Sequence, residues 1–94
     1  MGAARMAVCK RVQYSGRVQG VGFRYTVQAL APAYPVAGWV RNLANGDVEL
    51  VAEGPPEEVD AFLKAVAHRM AHYIERSDIA EHPTSNLQGF RIRH

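Results

Sequence analysis

At 94 residues the chain has room for one domain and one modest core; a chain this short buries roughly 60–65% of the surface it exposes when unfolded. With 48% hydrophobic and 21% charged residues, it is not disordered, collagen-like or a coiled coil. The formal charge of +2 marks no particular partner, and the single Cys9 excludes both an internal disulfide and a cysteine-based zinc site.

A lone cysteine in a small domain fits a reducing compartment, so the expected location is cytoplasmic. The longest uncharged stretch, Tyr25 to Val40, is broken by Gln28, Pro32, Pro35 and Gly38. It falls short of the about 20 apolar residues a membrane helix needs. Residues 1–6 lack the apolar centre of a signal peptide. They read as a flexible tail ahead of a single domain over residues 7–94.

Residues 7–14 alternate, with Val8, Val12 and Tyr14 on one side and Cys9, Arg11 and Gln13 on the other. That period predicts a half-buried strand, weakened by Lys10 on its apolar side. A loop follows, Gly16-Arg17-Val18-Gln19-Gly20-Val21-Gly22. From Phe23 the spacing becomes helical, through Val27 and Leu30. Pro32 should end or distort this helix, because it has no N–H and disfavours a helical residue before it. Residues 36–43, centred on Trp39 and Val40, read as a strand. Asn45-Gly46 is a tight-turn signal, and residues 47–53 alternate again as its hairpin partner. Pro55-Pro56-Glu57-Glu58 opens a second helix, with acids suited to the N-terminal dipole. Its buried stripe is Val59, Phe62, Leu63, Val66 and Met70. Residues 73–82 read as a ragged edge strand, because Ile74 and Ile79 do not share a face. Pro83 to Gln88 reads as loop, and Gly89 to His94 as a short last strand with Phe90 and Ile92 inward.

The order is strand, helix, strand, strand, helix, strand, plus a small extra strand. A mostly antiparallel sheet of four to five strands must then cover one face with two helices. The expected class is α+β: a two-layer sandwich with ferredoxin-like split βαβ topology, its first strand central and beside the third.

The chemistry concentrates between Gly16 and Arg24. A glycine-rich loop feeding a helix N-terminus presents unpartnered N–H groups in a positive field, a cradle for a phosphate dianion. Arg24 in the first turn adds a permanently charged fork. On spacing alone, a tight strand-to-helix turn with a surface arginine accounts for the segment equally well. The glycine order matches neither the dinucleotide fingerprint nor the Walker loop, so a nucleotide site is not expected. Asn42 taken alone reads as a strand residue beside a loop.

Two motifs in order change that balance. Gly16-Arg17-Val18-Gln19-Gly20-Val21-Gly22-Phe23-Arg24 resembles the first signature of the acylphosphatase family. Gly38-Trp39-Val40-Arg41-Asn42, with Gly46, Val48 and Gly54, resembles the second. The resemblance runs from the first strand to Phe90-Arg91-Ile92. Tyr14 departs from the usual aliphatic residue, and Pro32 with Pro35 departs from the usual helix end.

The resemblance implies a metal-independent, cofactor-free hydrolase that cleaves the carboxyl–phosphate bond of acyl phosphates by direct in-line attack of water. It implies that Gly16, Arg17, Val18, Gln19, Gly20, Val21 and Gly22 bind phosphate together with Arg24, and that Asn42 holds the water. Arg24 and Asn42 are then the catalytic pair. A small-molecule acyl phosphate is the expected partner, with inorganic phosphate as product and competitive inhibitor. The chain is expected to be a monomer that binds neither nucleic acid nor membrane.

The other polar residues read as bland. His68 and His72 stand i, i+4 on a predicted solvated helix face. His82 and His94 lie at edge or terminal positions. Arg41 is expected to be solvated, on the opposite face from Asn42. An RNA-binding module shares the fold but needs exposed aromatics and a basic sheet face. Tyr14 at a strand end, and Asp47, Glu49 and Glu53 on the third strand, offer neither. A non-catalytic domain that kept the fold is the remaining alternative, and Arg24 with Asn42 argue against it.

Overall fold

A computed structural model describes residues 7–94; the tail expected over residues 1–6 lies outside them. The elements are β1 (Val8–Gly16), α1 (Phe23–Leu30), β2 (Ala37–Asn42), β3 (Val48–Gly54), α2 (Pro56–Arg69), β4 (Ile74–Glu81) and β5 (Phe90–Arg93). The proline effect expected at the end of α1 is present: after Leu30 the chain tightens into a single 3₁₀ turn, Ala31–Ala33.

The five strands form one sheet in the order β4-β1-β3-β2-β5. All neighbours are antiparallel except β2 and β5. The first four strands and two helices make the expected ferredoxin-like α+β arrangement, with β1 beside β3, and β5 extends it past β2. The outer strands carry most of the exposed charge, with Glu75, Arg76, Asp78 and Glu81 on β4 and Arg91 and Arg93 on β5.

Alternation decides which side chains meet the helices. Val12 and Tyr14 of β1, Val40 of β2, and Val48, Leu50 and Ala52 of β3 join Phe23 and Val27 of α1. The predicted stripe of α2 packs with them in the same cluster. Phe62 is fully buried, with its ring centroid 5.6 Å from Tyr34 and 5.5 Å from Phe90. That contact carries β5 onto the core.

The raggedness of β4 has a definite cause. Its register against β1 shifts between Ser15 and Gly16, so that Ser15 faces Arg76 but Gly16 faces Ile74. The extra residue flips the alternation. Ile74 therefore comes to the same face as Ile79, which pairs with the core residue Val12, correcting the expectation that the two do not share one; Ile74 packs on the core while Ile79 stays 60% exposed at the edge.

The face away from the helices is polar, and much of it is still buried. Glu49 is only 5% exposed and Glu53 7%. Glu49 accepts from Nε of both Arg11 and Arg41. Arg41 also lies over the Trp39 ring, 5.3 Å from its centroid, as does Arg93 at 4.5 Å. This corrects the expectation that Arg41 is merely solvated: direct pairing across the β2–β3 register puts it opposite Glu49. Burial alone would raise the Glu49 carboxyl, but hydrogen bonds and charge from Arg11 and Arg41 outweigh it and hold the group below its ordinary value. Glu53 accepts from the backbone amides of Ser85 and Asn86. It thereby pins the connection that crosses from the β4 edge to the β5 edge. Beside it, Cys9 is buried, and burial with the nearby Glu53 charge pushes its thiol up to about 11.

Candidate active site

Gly16 ends β1 at φ +124°, and a Cβ placed there would sit 2.5 Å from the carbonyl oxygen of Tyr73. The backbone passes so close because the Arg17 amide donates to that same oxygen at 3.0 Å. The Arg17 amide is thus committed to the fold, and its side chain is exposed. Val18 turns the other way and is fully buried in the core, anchoring the loop from beneath.

Gln19 anchors it from the side. Its Nε2 donates to the carbonyl oxygens of Leu43 and Asp47, each at 2.8 Å. Leu43 and Asp47 are themselves joined across the β2–β3 turn by the Leu43 amide at 2.8 Å. One side chain therefore ties the glycine loop to the end of β2, where Asn42 stands.

Beyond Gln19 the backbone curls. Gly20 has φ +79° and Gly22 φ +80°, and Val21 between them is not in that region. Alternation of this kind turns successive amides toward one side and forms an anion-binding nest. Among the described residues, the amides of 18–22 have no hydrogen-bond partner. Gly22 is the N-cap of α1 in the left-handed conformation, with no side-chain cap, and the first turn holds no acid. The positive end of the helix dipole is left uncompensated at the loop.

Val18, Gly20, Gly22, Phe23, Arg24, Tyr25 and Asn42 line a cavity of about 140 Å³. The structure thus brings Arg24 and Asn42, eighteen positions apart in sequence, to one small polar hollow at the N-terminus of α1. The Asn42 side chain makes no hydrogen bond to the described residues. A larger depression of about 450 Å³ lies between Trp39 and residues 86–88. It has arginines but no curled glycine loop, whereas the smaller cavity has both an arginine and that loop.

Comparison with known proteins gives the family and the fold. The family model described as Acylphosphatase matches residues 10–92. The chain belongs to the acylphosphatase family. An acylphosphatase of Bacillus licheniformis is 43% identical over 81 residues, covering 86% of this chain and 89% of that protein. The crystal structure of acylphosphatase from Bacillus subtilis superposes with a TM-score of 0.83 at 35% identity, covering 95% of this chain and 100% of that one. An acylphosphatase from Coxiella burnetii gives a TM-score of 0.80 at 32% identity, with 93% of each chain covered.

Two histidines of this acylphosphatase-family chain depart from expectation. His72 lies beyond the end of α2, so it does not share a helix face with His68; its ring packs edge-on against Tyr73. His94, expected to be bland, has Nδ1 3.4 Å from Nη1 of Arg24. The signal that finds it is the parallel pairing of β5 with β2, which alternation within a single segment does not reveal. No group of three or more His, Cys, Asp or Glu able to hold a metal occurs among the described residues, and no helix is long and apolar enough to cross a membrane.

Proposed function

We propose that this protein is an acylphosphatase that hydrolyses acyl phosphates to a carboxylate and inorganic phosphate. The observation that carries the reading is the cavity shared by Arg24, Asn42 and the glycine loop. In this reading the unpartnered amides of the loop, within residues 18–22, and the Arg24 guanidinium hold the phosphoryl oxygens. Gly20, Val21 and Gly22 supply the nest. Gly16, Arg17, Val18 and Gln19 fix its position, since the Arg17 amide and the Gln19 side chain are already engaged.

Asn42 orients a water in line with the scissile bond. The water oxygen forms a new bond to phosphorus as the bond from phosphorus to the acyl oxygen breaks. The electron pair leaves with the carboxylate, and the water proton passes to a phosphate oxygen. A carboxylate is stable without a proton, so this departure calls for no general acid. A loose phosphoryl transfer needs positioning and charge neutralisation, which an arginine, backbone amides and an amide side chain provide without metal or nucleophile. Residues 7–94 act as one catalytic unit and as a monomer in the cytoplasm. Inorganic phosphate, filling the same cradle, inhibits competitively.

The test is hydrolysis of benzoyl phosphate, followed by its ultraviolet absorbance in the presence of chelator. Arg24→Ala and Asn42→Ala are expected to lose about 100-fold or more in kcat/KM while keeping wild-type circular dichroism. Wild type no faster than buffer would overturn the function. Full activity in either folded variant would overturn that residue's role.

A further inference from the structure

We propose that the face of the sheet away from the helices holds a second anion site, built by Arg91 and Arg93 beside Trp39, that takes a phosphomonoester. It is separate from the cavity at α1, with which the depression between Trp39 and residues 86–88 shares no lining residue. Nothing in it depends on the hydrolysis of acyl phosphates.

The parallel register builds the site. Trp39 lies opposite Arg91, and Arg41 opposite Arg93. Val40 and Ile92, which stand between them, pack on the core. Alternation therefore turns Trp39, Arg41, Arg91 and Arg93 to the other face. Charge then sorts the arginines. Nε of Arg41 donates to Glu49 at 2.7 Å. Among the described residues, Arg91 and Arg93 have no carboxylate partner. The pair of guanidiniums left without a counterion matches a phosphomonoester, whose charge is about −1.5 to −2 at pH 7.

Arg93 is also held in place. Its guanidinium carbon lies 4.5 Å from the Trp39 ring centroid, a cation–π distance. Stacking engages the flat face of the guanidinium and leaves its N–H edge free to donate. A donor fixed in this way loses less rotamer freedom on binding than a free surface arginine. The depression gives the organic part of the ligand a place. It measures about 450 Å³, within the roughly 300–1,000 Å³ of small-molecule sites. Leu87 and Ile92 supply apolar lining beside the charge. The wall over residues 86–88 is fixed at both ends. Glu53 accepts from the amides of Ser85 and Asn86, and the Gly38 amide donates to the Gly89 carbonyl oxygen at 2.8 Å.

The experiment titrates phenyl phosphate and inorganic phosphate, at pH 8 and constant ionic strength, into Arg24→Ala, which lacks the arginine of the α1 cavity. Fluorescence of Trp39, the single tryptophan, reports binding, and the ¹H–¹⁵N resonances of the arginine Nε groups report where it occurs. Phenyl phosphate is expected to bind with a dissociation constant of about 1 mM, several-fold tighter than inorganic phosphate, and to move the Arg91 and Arg93 resonances. Adding Arg93→Ala should weaken binding about tenfold, the worth of one charge-assisted hydrogen bond. Arg91→Ala should do the same at an exposed position where truncation leaves the fold intact. Unmoved Arg91 and Arg93 resonances, unaltered affinity in Arg91→Ala, an equal response to chloride in place of phosphate, or phenyl phosphate no tighter than inorganic phosphate each overturns the proposal. None of these readouts involves hydrolysis, so failure of this site leaves the functional reading untouched, and failure of that reading leaves this site standing.

Discussion

Replacing a glycine by alanine in the phosphate loop should cost very different amounts at two positions that share one conformational problem. Both Gly16 and Gly20 have positive φ, +124° and +79°, so alanine is strained at either, by about 1–2 kcal/mol. At Gly20 a new Cβ meets nothing within 4 Å, and strain is the whole effect. At Gly16 it meets backbone on both sides, 2.5 Å from the Tyr73 oxygen and 2.7 Å from the Glu75 nitrogen. Neither atom can swing aside, so β4 must move off β1. That adds about 1–3 kcal/mol of overpacking and about 1 kcal/mol for the hydrogen bond from Arg17 to Tyr73. Gly16→Ala should therefore lose about 3–6 kcal/mol and Gly20→Ala about 1–2 kcal/mol. For a domain this size each kcal/mol is worth roughly 4–8 °C in Tm. Urea unfolding followed by the single Trp39 and by circular dichroism measures both, with unchanged m-values showing that native stability is what moved. Losses equal within about 0.5 kcal/mol would refute the steric argument and leave backbone strain as the only cause.

Glu49→Gln should cost about 1–3 kcal/mol at pH 7. That is less than a fully buried ion pair broken on one side, because Arg11 and Arg41 remain 34% and 43% exposed and can hydrate. The folded-state carboxyl titrates below its ordinary value, so its contribution is present above the unfolded-state value and is lost as pH falls through the folded one. The gap between wild type and Glu49→Gln in urea melts should shrink below about pH 4.5; a gap that widens there contradicts the sign. Gln19→Leu removes both tethers to the β2–β3 turn, at about 1–2 kcal/mol of stability. It should lower kcat about tenfold or more by loosening the loop against Asn42, and an unchanged kcat with benzoyl phosphate would sink that coupling.

The elements were legible because local signals agree. Period-two alternation in 7–14 and 47–53, the Asn45-Gly46 turn and the α2 stripe ending at Met70 each state their own structure, and the split βαβ order follows from them. What stayed hidden is non-local. Burial of Glu49 and Glu53 depends on partners supplied by β1, β2 and residues 85–86, and an acidic residue on a strand gives no sign of them. The bulge that rescues Ile74 is a property of the β1–β4 pair, and the committed Arg17 amide a property of its contact with Tyr73. The candidate site divides the same way. Its residues are found by two long motifs, whereas the Gln19 tether and the approach of His94 to Arg24 exist only once strands far apart in sequence lie side by side.

The two rims of the sheet have a consequence for life in a crowded solution. A rim strand offers unpaired amides and carbonyls to any extended chain that drifts by. Along β4 such a visitor would have to strip water from Glu75, Arg76, Asp78 and Glu81, three of which are already paired, with Arg76 to Asp78 at 3.2 Å and Lys10 to Glu81 at 2.6 Å. On the far rim only four residues, Phe90–Arg93, are in strand form. A second molecule docking there would bring its own arginines toward Arg91 and Arg93. The charges that contribute little to folding thus make each rim a poor seed for further sheet, so growth into fibres should start from partly unfolded molecules.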